Sequence, residues 1–91
     1  MDPPPYGRGP EGEKWTLAEK LDEMIEGASQ LLEKNDSFYI LSMYAGGFSS
    51  IVGLNVAQTH FRMTGPEFGE FYLKSQQNRD LPMGTFLRFK Q

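Results

Sequence analysis

Groups able to do acid–base or metal chemistry are few in this chain. The single histidine, His60, precedes Glu67 and Glu70, and the three could hold a divalent ion or position a water if the fold brought them together. Transition-metal sites use three or four convergent ligands. No spacing fixes these three, so they read as solvated carboxylates and a half-exposed histidine, with no metal and no cofactor expected. The absence of cysteine excludes thiol nucleophiles, thiolate zinc, iron–sulfur ligation and disulfide frameworks. Ser49 and Ser50 have no credible base beside them. Gly7-Arg8-Gly9-Pro10-Glu11-Gly12 has the Gly-x-Gly-x-x-Gly spelling of a phosphate cradle, but that cradle needs a strand before it and a helix opening within it. Here prolines precede it and Pro10 removes a donor, so the segment reads as a linker. Without a convergent ionisable set, the chain is expected not to be an enzyme.

The N-terminus carries a different kind of chemistry. Pro3-Pro4-Pro5-Tyr6 pre-sets polyproline II geometry, so little entropy is lost when an aromatic groove closes on it. These four residues resemble the PPxY class of WW-domain ligands, including late-domain motifs of some viral proteins. The resemblance implies Pro3, Pro4, Pro5 and Tyr6 as a binding site for a WW-domain protein of the Nedd4 type. The leading expectation is therefore a small non-enzymatic adaptor, a viral or host accessory factor. Its tail would recruit a WW-domain protein while its core binds another partner or forms a homodimer.

Two alternatives rest on charge. The net charge is −3, yet acidic residues crowd the first half and cations outnumber them in the second. His60, Arg62, Lys74, Arg88 and Lys90 interleave with aromatics, a pattern that suits nucleic-acid binding. The acidic face of the first helix, with Asp22 and Glu26, could instead dock on a larger basic protein as an inhibitor. Tyr44 and Ile51 are further candidates for protein contact, because they fall on a half-apolar face.

Ninety-one residues suffice for one small domain. The acidic, proline-rich start is not a secretory signal. The uncharged run from Ser37 to Thr59 is diluted by serines, tyrosines and a Gly-Gly pair, and it reads better as strands than as a membrane span. No membrane association is expected, and an intracellular site, cytoplasm or nucleus, follows.

These residues need elements to position them. Residues 1–14 read as a flexible Pro/Gly-rich tail and 15–91 as a single α+β domain. Thr16-Leu17-Ala18-Glu19 spells a capping box, and Leu17, Leu21, Met24, Ile25, Ala28, Leu31 and Leu32 recur at helical spacing until Asn35 and Asp36. A β-hairpin centred on Gly46-Gly47 would pair Met43 with Ser50 and Leu41 with Val52, with residues 56–63 continuing extended or forming a third strand. Thr64-Gly65-Pro66-Glu67 repeats the capping pattern and predicts a short helix to about Gln77. A loop over 78–84 and a strand over 85–90 complete the chain. The expected fold is an amphipathic helix packed on a small antiparallel sheet, with a second short helix.

Overall fold

A computed structural model describes residues 1–44 and 47–91. The fold is α+β, with strands β1 (Tyr6–Arg8) and β2 (Lys14–Thr16), helix α1 (Leu17–Leu31), strand β3 (Phe38–Met43), helix α2 (Ser50–His60) and strands β4 (Thr64–Lys74) and β5 (Asp80–Lys90). β1 and β2 form an antiparallel ribbon, and a second antiparallel sheet has the order β3-β5-β4.

Helix α1 follows its apolar stripe. Leu17, Leu21 and Ile25 are buried, one helical turn apart on a single face. Thr16 is extended as a cap should be, although its side chain makes no capping bond. The helix stops before Asn35, and Leu32 N–H closes the last turn on the Ala28 carbonyl. Asp36 then takes φ 61° in the connection to β3, a conformation its short polar side chain tolerates.

The segment after β3 is not the return strand of a hairpin. Gly46, half of the expected turn, lies outside the described residues, while Val52, expected opposite Leu41, sits in α2. Ser49 caps that helix by accepting from Val52 N–H at 3.4 Å, satisfying one of the free donors of the first turn. Gly53 and Ala57, one turn apart, are its buried residues. A Cβ on Gly53 would lie 3.0 Å from Met43 Cε, so small residues let α2 lie close on β3. The expected third strand over 56–63 is accordingly the end of this helix.

The expected helix over 64–77 is also corrected, because this stretch is β4. It pairs with β5 from Thr64↔Lys90 to Lys74↔Asp80. Gly65 (φ 58°) and Pro66 fall where the register shifts between Thr64 and Glu67, and a bulge is where a strand tolerates a missing donor. A tight turn with Asn78 at φ 63° joins the two strands. The expected loop over 78–84 shrinks to that turn, and β5 begins at Asp80.

Alternation along the sheet separates two faces. Tyr39, Leu41, Met43, Leu87 and Phe89 are buried with α1 and α2, and Tyr39, Phe61 and Phe89 form a ring cluster with centroids 4.9–5.4 Å apart. Phe38, Ile40 and Phe71 lie exposed. No helix among the described residues is long and apolar enough to cross a membrane.

Candidate functional site

The first residues are tied into the sheet. Met1 N donates to Ile40 O at 2.8 Å, and Ser42 N donates to Met1 O at 2.9 Å. One residue bonding on both sides of a single opposite residue is the pattern of parallel pairing. Met1 therefore runs parallel to β3 beside Leu41, and α1 lies in the crossover between them. This single parallel bridge extends the β3 edge in the sense of a βαβ connection, and ligands of open α/β sheets bind outside the carboxyl ends of their strands.

At that end the chain leaves the sheet at Asp2 and Tyr44. Ser42 Oγ donates to Asp2 Oδ1 at 3.2 Å, with Asp2 exposed. Beyond Met43 a crevice of about 500 Å³ is lined by Tyr44, Phe48, Glu70, Met83 and Thr85 among others. Thr85 Oγ1 is buried there without a hydrogen-bond partner. Gly84 has φ 132°, and a Cβ on it would lie 2.7 Å from the Met43 carbonyl oxygen, so the crevice floor requires glycine. Glu70 and the Tyr44 hydroxyl beside the Phe48 ring could orient a small polar molecule in this crevice and take up a proton from it.

No family model and no curated protein matches the sequence. Among solved structures, the crystal structure of a SAM-dependent methyltransferase from Agrobacterium tumefaciens is similar at a TM-score of 0.79 and 24% identity. The match covers 98% of this chain and 31% of that protein. This chain shares its fold with part of a methyltransferase. The chain spans about a third of the length of the structure it matches.

The likeness is to an enzyme fold, which runs against the expectation of a non-enzymatic adaptor. The side-chain geometry agrees. Pro3 is buried and the Pro5 carbonyl accepts from Leu17 N–H. Pro4 is exposed, and Tyr6, 76% exposed, belongs to β1. Pro3 to Tyr6 are thus a folded segment rather than a free ligand. The C-terminal cations do not form one surface: Lys74 pairs with Asp80 at 2.8 Å and Arg88 with Glu67 at 2.8 Å, His60 and Arg62 line one depression with Lys34, and Arg88 and Lys90 line another. His60 Nε2 meets Asp22 Oδ1 at 2.7 Å, so the histidine links α2 to α1 rather than joining Glu67 and Glu70. Arg62 and Lys90 are exposed, as are Glu26 on α1 and Ile51 on α2. Of the expected contact residues, Tyr44 alone lines the carboxyl-end crevice.

Neither the carboxyl-end crevice nor the glycine-rich turn fits a resident SAM molecule. Gly7-Arg8-Gly9-Pro10-Glu11-Gly12 forms β1 and its turn into β2, and the Glu13 carboxylate fills the space a Cβ on Gly9 would need. The crevice has one carboxylate, Glu70, and no cation in its lining to meet the methionine carboxylate of SAM. Sequence reasoning missed Asp2, Ser42 and Thr85, and weighed Glu70 only together with His60 and Glu67. No local pattern marks them, because Asp2 meets Ser42 through the Met1–β3 pairing and Thr85 meets Glu70 through the β4–β5 pairing.

Proposed function

We propose that this chain is the acceptor-facing portion of a SAM-dependent methyltransferase, holding the methyl acceptor at the carboxyl end of the Met1–β3 pair. The observation that carries this reading is the parallel pairing of Met1 with β3 across α1, which gives the chain a carboxyl end of the kind where open α/β sheets bind ligands. The methyltransferase likeness supplies the reaction class.

In this reading Asp2, oriented by the Ser42 hydroxyl, accepts a hydrogen bond from an N–H or O–H of the acceptor and can take its proton. Tyr44, 69% exposed, lies flat against the acceptor. The test is transfer of labelled methyl from SAM by the natural polypeptide carrying this chain, wild type against Asp2→Asn. Loss of one catalytic acid–base group typically costs about 10²–10⁴-fold in rate, and a loss in that range is expected. An Asp2→Asn variant with unchanged transfer overturns the role of Asp2 and of this end of the sheet.

A further inference from the structure

The β1–β2 ribbon carries an arrangement that folding alone does not favour. Arg8 stands directly opposite Lys14, and Tyr6 opposite Thr16. Gly9 N donates to Glu13 O, and Leu17 N to Pro5 O. Counting inward from those two bonds, Arg8–Lys14 and Tyr6–Thr16 are non-hydrogen-bonded pairs, the type in which side chains approach most closely, with Cα atoms about 4.5 Å apart. Like charges directly opposite each other destabilise a ribbon. Among the described residues the ion pairs are Lys20–Glu23, His60–Asp22, Lys74–Asp80 and Arg88–Glu67, and neither Arg8 nor Lys14 takes part in one.

The nearest acidic side chain does not relieve this repulsion. Glu13 alternates to the other face of the strand, where its carboxylate accepts from Glu11 N–H at 3.0 Å. One guanidinium nitrogen of Arg8 donates to the Gly12 carbonyl at 3.2 Å, which holds the side chain in place and leaves its other donors free. Opposed residues on a two-stranded ribbon share a face, so Tyr6, 76% exposed, lies on the face of both cations, two residues along from Arg8. A depression of about 480 Å³ is lined by Tyr6, Gly7, Arg8, Lys14, Trp15 and Thr16.

We infer that the β1–β2 ribbon binds a nucleotide, its phosphate between Arg8 and Lys14 and its base stacked on Tyr6. A phosphate offers several acceptor oxygens, and the guanidinium fork suits it while the ammonium acts as a point charge. An exposed tyrosine ring stacks any base face. This deepens the proposed function by naming the acceptor class, and it rests on that reading only for the use made of the bound nucleotide. The ribbon begins four residues after Asp2 in the chain.

The experiment is an amide NMR titration of the 91-residue chain at low salt with adenosine monophosphate, guanosine monophosphate, inorganic phosphate and a short single-stranded oligonucleotide. Saturable shifts at Tyr6, Arg8, Lys14 and Thr16 are expected, with inorganic phosphate at least tenfold weaker than the nucleotides. An oligonucleotide bound more tightly than either monomer assigns the source as a strand, and equal affinity assigns it as a free nucleotide. Lys14→Glu separates binding from folding, since it replaces repulsion by attraction. It is expected to keep or raise Tm and to weaken nucleotide binding at least tenfold. No shifts with any nucleotide, or unweakened binding by Lys14→Glu, overturns the inference. Binding that persists while Asp2→Asn leaves methyl transfer intact would count against the proposed reaction site and not against the ribbon.

Discussion

Met1 and Leu41 stand side by side as a parallel pair, held by the bonds from Met1 N to Ile40 O and from Ser42 N to Met1 O. This contact adds one parallel residue pair at the β3 edge of an antiparallel sheet. The Ser42 amide should therefore exchange with solvent as slowly as the amides of the sheet core. Hydrogen exchange measured by NMR checks this, and a Ser42 amide exchanging as fast as those of exposed turns would show that Met1 is not paired.

Asp22 and His60 join the two helices at 2.7 Å. The pair is largely exposed on its Asp22 side, so its net worth is that of an ordinary hydrogen bond. His60→Ala is expected to cost about 0.5–1.5 kcal/mol of stability, read from urea unfolding. A matching loss in Asp22→Ala, with little further loss in the double variant, would locate the effect in this contact.

Tyr39 connects alkaline pH to stability. Burial among Phe61, Phe89 and the helix face pushes its hydroxyl from 10.0 up to about 12, and the hydroxyl donates to Met1 Sδ at 2.9 Å. The folded chain thus keeps the proton where the unfolded chain has released it. The stability that neutral Tyr39 contributes is full below pH 10 and is lost as pH rises from 10 through about 12. At about 1.4 kcal/mol for each unit, the whole loss approaches 3 kcal/mol. Tyr39→Phe should flatten this alkaline fall in chemical denaturation, and an equally steep fall in the variant would assign it to other groups.

Gly84 and Thr85 form the floor of the crevice and predict opposite effects. Gly84→Ala places a Cβ against the Met43 carbonyl at φ 132°, a conformation that costs of order 1–3 kcal/mol in non-glycine residues. Thr85→Val removes a buried hydroxyl that has no partner and is expected to stabilise the chain by about 1 kcal/mol. Thermal unfolding of the two variants checks both signs.

Helix α1 is legible in the sequence because its buried face is a continuous stripe of large residues, Leu17, Leu21 and Ile25. The end of β5 is legible because Leu87 and Phe89 alternate with Arg88 and Lys90. Helix α2 is not, since its contact face consists of Gly53 and Ala57 and apolar residues surround it on all sides. β4 is concealed by Thr64-Gly65-Pro66-Glu67, which imitates a helix start while serving as a bulge. There, pairing with β5 overrides local propensity. Tyr6 and Tyr44 were visible as contact residues. Their setting was not, because the proline run reads locally as a peptide ligand, whereas burial of Pro3 and the Met1–β3 pairing arise only from residues distant in the chain.

The central claim is that the carboxyl-end crevice holds the methyl acceptor and not the methyl donor. Steady-state methyl transfer by the natural polypeptide carrying Tyr44→Ala tests it most directly, with acceptor and SAM varied separately. The account predicts an acceptor KM raised about tenfold, the loss of roughly 1.4 kcal/mol of binding, and a SAM KM changed less than about twofold. A raised SAM KM with an unchanged acceptor KM would contradict it.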